Sequence, residues 1–281
     1  MDAKTDASSS SIDIFPTDVL KWIKANAKPL MAFKLMQVCK YFKHREFPFL
    51  VLKGLSKAAD GSWNYSLFGQ NKTVYTDTLD IFADKSLWIT NGIFLYEKVD
   101  PFSSILSKIA VFKGNNLYLR NQSLTIDELK VLASSTSFEF VNIYNTTITD
   151  KTNEPIALES LLQILTDVTF LSFDQILPSF SSEQNATNVL VPNLTLFEAH
   201  GLRETFNFQT FIAFMKAHPF VQCRLEYDGQ LNLSPEYKQQ LEEYIFKLVD
   251  DNLFEYPPPL ISFPEQTSRD EMEKLHQRYR G

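Results

Sequence analysis

Apolar and polar positions alternate over short stretches of this chain, and the alternation returns in one frame. Leu117, Leu119 and Leu124 stand as Leu-x-Leu-x-Asn-x-x-Leu around Asn121, and Val141, Ile143, Asn145 and Ile148 repeat the arrangement. Upstream the frame reads Leu87, Ile89, Asn91 and Phe94. Weaker copies follow at Leu171, Phe173 and Ile176, at Phe197, Ala199 and Leu202, and at Leu225 and Tyr227. Period two sends the leading pair to one face of a short strand and the residue between them to the other. The Asn beyond each strand is expected to turn its amide inward onto backbone groups that the bend leaves unpaired.

Between these strands the sequence predicts helices. Thr125 and Glu128 form a capping-box pattern before Leu129 and Leu132, and Pro155 stands at a first helical position before Leu158, Leu161 and Leu162. Asn207 caps the run Phe208, Phe211, Ile212 and Met215, and Ser234-Pro235 opens a longer helix through Leu241 and Ile245. From Leu119 through Ile143, Leu171 and Phe197 to Leu225 the steps are 24, 28, 26 and 28 residues, in the range of leucine-rich repeats. One such unit cannot bury its own apolar face, so several must stack, giving a curved parallel sheet with helices on its convex side. Six unrelated strands of an ordinary α/β or α+β domain are the alternative.

Ahead of the repeats, residues 1–11 are polar and read as a flexible arm. Residues 12–57 read as a small helical unit, with Val19, Leu20 and Ile23 on one segment and Leu30, Phe33, Leu35, Met36, Cys39 and Phe42 on the next. The repeats are expected over 58–250. A capping tail spans 251–281, where Pro257-Pro258-Pro259 forces an extended run and Leu260, Ile261 and Phe263 lie across the open end of the last repeat. Residues 174–193, with Pro178, a Ser cluster and Pro192, read as an exposed loop.

The segment Phe15-Pro16-x-Asp18-Val19-Leu20-x-x-Ile23, followed by Leu35-x-x-Val38-Cys39-Lys40-x-Phe42, resembles an F-box. Phe15 in place of the usual Leu and the Lys-rich stretch from Lys24 to Lys28 depart from that pattern. The whole chain is similar to a large nematode family with an F-box-like start and degenerate leucine-rich repeats, including the ending Pro257-Pro258-Pro259-Leu260-Ile261-Ser262-Phe263-Pro264. The resemblance implies an α/β protein, a degenerate leucine-rich-repeat solenoid behind a small F-box-like unit. It also implies a partner, the Skp-type adaptor of a cullin ubiquitin ligase, met by Pro16, Leu20, Ile23, Leu35, Val38, Cys39 and Phe42. The alternative is a helical cap that closes the first repeat.

Composition narrows the function. Net charge is −7, which disfavours a nucleic-acid surface. Phe15 to Lys57 carries nine Lys and Arg against two acids, so this basic segment suits a different partner from the remainder. Glycine is scarce and no phosphate-cradling motif occurs. The four histidines lie in separate segments without metal-ligand spacing, and no nucleophile motif appears, so neither cofactor, metal nor enzymatic activity is expected. Cys39 and Cys223, far apart in apolar surroundings, read as free buried thiols in a reducing compartment, cytoplasmic or nuclear. No apolar run is long enough for a membrane span. Seven N-x-S/T sequons point instead to a secreted protein, but no signal peptide accompanies them. The residues between the inward pairs then form the surface for a protein target: Trp88, Tyr118, Arg120, Asn142, Tyr144, Glu198 and Arg224, with Thr90, Leu196 and Glu226 beside them.

Overall fold

The computed structural model describes residues 16–27, 31, 34–35, 49–67, 72–82, 86–134, 138–230, 232–251 and 256–280. Its first helix, α1, is Thr17–Asn26. An antiparallel meander of β1 (Phe49–Lys57), β2 (Trp63–Leu67) and β3 (Thr73–Thr76) follows. The chain continues through β4 (Ser86–Leu95), α2 (Ser103–Leu106), β5 (Ile109–Phe112), β6 (Asn116–Arg120), β7 (Ser123–Thr125), α3 (Ile126–Ala133), β8 (Phe140–Tyr144) and β9 (Thr147–Thr149). Next come α4 (Leu158–Ile164), β10 (Phe170–Asp174), α5 (Glu183–Asn188), β11 (Leu196–Leu202), α6 (Phe208–Ala217), β12 (Gln222–Tyr227), α7 (Pro235–Asp251), β13 (Leu260–Ser262) and α8 (Arg269–Arg280). Eleven strands make one sheet in the order β13-β12-β11-β10-β8-β6-β4-β1-β2-β3, with β5 also on β4, and every pairing is parallel except those of β2. The chain is therefore an α/β protein with a large, mostly parallel sheet.

The alternation puts one face of this sheet against the helices. Leu95, Leu119, Ile143, Phe173, Ala199, Leu225 and Ile261 are successive neighbours across the strands, and none is more than 1% exposed. They share one apolar cluster with Leu129 and Leu132 of α3, Leu158, Leu161 and Leu162 of α4, Phe211 and Phe214 of α6, and Leu241 and Ile245 of α7. Burying one Leu or Ile of this kind is worth about 1.5–3 kcal/mol. Helix starts follow the expected chemistry: Thr125 and Glu128 make a capping box, with Glu128 N donating to Thr125 Oγ1 at 3.2 Å and Thr125 N to Glu128 Oε2 at 2.7 Å. Asn207 Oδ1 accepts from Thr210 N, and Ser234 Oγ from Tyr237 N.

Several expectations change. Along β4, Leu117 and Leu119 pair with Ile93 and Leu95, whereas Leu87 and Ile89 pair with Ile109 and Phe112 of β5. β4 is long enough to carry both neighbours in succession, so Asn91 lies inside a strand instead of beyond one. The link from β5 to β6 crosses β4 so closely that a Cβ on Gly114 would sit 2.5 Å from the Asn91 backbone, which is why glycine stands there. Downstream, Leu171 and Phe197 align with Val141, two residues from the place the spacing gave them.

The residues after the strands also exchange roles. Asn121 and Asn145 take left-handed backbone (φ 55 and 41), and their side chains meet in solvent, Asn145 Nδ2 donating to Asn121 Oδ1. The buried polar ladder is one residue on. Gln122 (3% exposed) donates from Nε2 to Glu97 O at 2.8 Å and accepts from Val99 N at 3.0 Å through Oε1, while Thr146 (3%) bridges Gln122 N, Leu119 O and Tyr144 O.

Phe49–Lys57 is a sheet strand, because Leu52 and Leu55 are fully buried in the common core, so these nine residues do not belong to a helical unit. α4 begins at Leu158 rather than Pro155, which Thr149 holds in a bridge. The expected loop at 174–193 contains α5, capped by Ser182 with Ala186 buried beneath it. Leu260 and Ile261 extend the sheet as β13 instead of lying across its end, and α8 seats Met272 and Leu275 in the core.

Gln122→Ala is expected to cost about 1–3 kcal/mol by orphaning buried backbone groups. Asn121→Gly should be nearly neutral, because glycine tolerates positive φ, whereas Asn121→Ala should cost on the order of 1 kcal/mol; urea unfolding measures all three. His218, 8% exposed and packed on Phe214 at 4.8 Å, is held below its ordinary 6.5 by burial, against a weaker opposing hydrogen bond to Ala186 backbone. The unfolded chain therefore takes this proton first as pH falls. Stability should be full above 6.5 and decline as pH drops below that value, and His218→Gln should flatten this acid limb of a stability–pH profile.

Candidate functional site

The sheet face opposite the helices carries the residues that alternate with the buried pairs. Three rows cross it, each set by the parallel register. The first holds Asn116, Phe140, Phe170, Leu196 and Gln222, and the second Tyr118, Asn142, Ser172, Glu198 and Arg224. The third holds Arg120, Tyr144, Asp174 and His200, with Glu226 beside His200 on β12. Side chains within a row stand about 5 Å apart and rows about 7 Å apart along the strands.

An aromatic end lies toward β4. Tyr96 and Tyr118 pack with ring centroids 4.8 Å apart, and the Arg120 guanidinium lies 4.7 Å over the Tyr144 ring. Gln175 Nε2 donates to the Tyr144 hydroxyl at 2.9 Å. Burial pushes the Tyr118 phenol above its ordinary value, with Arg120 opposing. Arg120 stacked on a half-buried ring is a rigid, amphipathic surface of the sort that dominates binding energy at protein interfaces.

A charged end lies toward β12. Glu198 accepts from Arg224 Nη1 at 2.9 Å and lies 3.6 Å from His200 Nε2, while His200 Nδ1 meets Glu226 at 2.8 Å. Asp174 is different: no hydrogen bond to its carboxylate occurs among the described residues. Burial raises its pKa first and the Glu226 charge raises it further, against His200 and Arg120. Among the described residues, no group of His, Cys, Asp or Glu is arranged to hold a metal ion, and no helix is long and apolar enough to cross a membrane.

Six of the seven residues read from sequence as target-binding stand on this face: Tyr118, Arg120, Asn142, Tyr144, Glu198 and Arg224. Trp88 does not offer itself there. It is 1% exposed, because the first half of β4 lies between β1 and β5 with Val51 and Val111 as its register neighbours. The register neighbour of Tyr118 on β4 is Phe94, and Tyr96, just past the strand, packs its ring on Tyr118. Asp174, His200, Phe140 and Phe170 are not in that sequence reading, although continuing the alternation two residues to either side of Ser172, Asn142 and Glu198 leads to them. Of the residues read as adaptor-binding, Pro16 is exposed, Leu20 is 6% exposed, and Ile23 and Leu35 are half-buried. Val38, Cys39 and Phe42 lie outside the described residues. Cys223 is a buried free thiol.

The fold defines a class, an α/β protein with a large, mostly parallel sheet whose helices pack on one face. No family model matches the chain, and no curated protein matches it.

One consequence is directly measurable. In a carboxylate NMR titration Asp174 should titrate above its ordinary 3.8, and Glu226→Gln should move it back down. An unchanged Asp174 in that variant would remove Glu226 from its surroundings.

Proposed function

We propose that the chain is a substrate adaptor: an F-box-like start that engages the Skp-type adaptor of a cullin ubiquitin ligase, joined to degenerate leucine-rich repeats whose open face holds a protein target. The observation that carries the ligase link is α1. Its Leu20 is buried, yet Trp22 remains 66% and Val19 37% exposed one helical turn apart, and Met31 beyond it is 55% exposed. Large apolar side chains left together in solvent mark a contact site. The repeat reading draws support from the succession of parallel strands with inward pairs at each step, and the target surface from the aromatic and charged rows above.

In this role the protein makes no covalent bond. Holding a target lysine near a charged ubiquitin carrier converts an encounter into a nearly intramolecular step. The burial of Leu20 and half-burial of Ile23 favour a second reading, a repeat scaffold for protein binding in which the helical start has become a cap with no ligase role.

Purified full-length chain and Skp-type adaptor separate the two. Binding at micromolar concentration, weakened at least tenfold by Val19→Asp with Trp22→Asp while the thermal melt is kept, is the expected result. A folded chain that shows no binding at that concentration rejects the ligase link and leaves the scaffold.

A further inference from the structure

The open face is chemically divided along the strands, and the division defines what fits it. At the strand starts, Phe140 is 47% exposed and its ring centroid lies 6.3 Å from that of half-buried Phe170, with half-buried Leu196 next in register. None of these three joins the main core cluster. At the strand ends stand Asp174 and Glu226. Glu198 is already paired with Arg224 and Glu226 meets the His200 ring, whereas the Asp174 carboxylate has neither a hydrogen bond nor an ion pair among the described residues. Between the two ends lies Ser172, 3% exposed, which leaves a low floor without a large side chain.

We infer that this face takes an extended segment of a target protein lying along the strands, with a bulky apolar side chain on Phe140, Phe170 and Leu196 and a Lys or Arg on Asp174, beside the His200–Glu226 pair. Charge complementarity selects the cation: an ammonium or guanidinium there pairs with a carboxylate that has no hydrogen bond or ion pair among the described residues, and it relieves the repulsion with Glu226. Register selects the spacing. Phe170 and Asp174 are four residues apart on one strand, about 13 Å, so an extended ligand places its apolar residue and its cation at i and i+4, with small residues between them over Ser172. The inference rests on the open face being the target surface, and it holds for either the adaptor or the scaffold reading.

The probe is a blocked, fluorescein-labelled peptide, Gly-Phe-Ser-Ser-Ser-Lys-Gly, titrated with the full chain and read by fluorescence anisotropy. Versions with the Lys replaced by Glu, or the Phe by Ala, are the comparisons. Saturable binding that weakens at least fivefold with either replacement, and likewise with Asp174→Asn or Phe140→Ser in the protein, is expected. Asp174→Asn keeps the shape of a half-buried side chain whose carboxylate makes no hydrogen bond among the described residues, so its thermal melt should match that of the parent. Equal binding of the Lys and Glu peptides, no effect of Asp174→Asn, or no binding at millimolar protein overturns the inference. So does self-association of the chain that Phe140→Ser abolishes while the peptide fails to bind, since a second copy would then be the occupant. The adaptor assay on the same Asp174→Asn protein keeps the two readings apart: peptide binding lost with adaptor binding retained is expected, and peptide binding with no adaptor binding removes only the ligase link.

Discussion

Lateral stacking of inward pairs is the constraint from which the rest of this molecule follows. A single strand and helix of this size expose nearly as much apolar surface as they cover, so each strand depends on its neighbours in the sheet for burial. Leu119 and Ile143 are adjacent across a parallel ladder, and so are Phe173 and Ala199. Each backbone bond that fixes the register also brings two apolar side chains into contact, so hydrogen bonding and burial reinforce one another. The small Ala199 sits beside the large Phe173, and Phe197 fills the adjoining space against Phe211 at 5.2 Å. Volume is thus shared between units rather than balanced within each.

Parallel stacking leaves a second demand at the strand ends, where the chain must leave the sheet for the helical layer. Gln122 and Thr146 meet it by bonding the backbone of neighbouring units, and Glu204 and Glu242 do the same farther on. Glu204 accepts from Ser234 N and Oγ at the start of α7, and Glu242 from the backbone of Thr267 and Ser268 before α8. These polar links join neighbouring strand and helix segments along the sheet, while the apolar layer holds sheet and helices together.

Once the helices cover one face, the opposite face is free to carry chemistry that has no part in folding. Its register is inherited from the core, which is why Arg120, Tyr144, Asp174 and His200 stand in line without a bond that requires it. A binding surface built this way can change its side chains with little cost to stability, and the proposed role in holding a target draws on that freedom.

The chain's own letters determined a good deal. The inward pairs at Leu117 and Leu119, Val141 and Ile143, and Leu225 and Tyr227 follow from alternation, and the helix starts at Thr125, Asn207 and Ser234 follow from cap chemistry, because both are local and act within a few residues. Tertiary structure decided what alternation cannot. The odd positions from Leu87 to Leu95 all share one face of β4, so the pattern fits Leu117 opposite Leu87 as well as opposite Ile93; only the extra strand β5 settles the register. The same ambiguity hid the burial of Trp88 and the exposure of Tyr96, which share a face at opposite ends of one stretch. Asp174 and Glu226 belong together because β10, β11 and β12 are neighbours, a relation between segments far apart in the chain that no local spacing encodes.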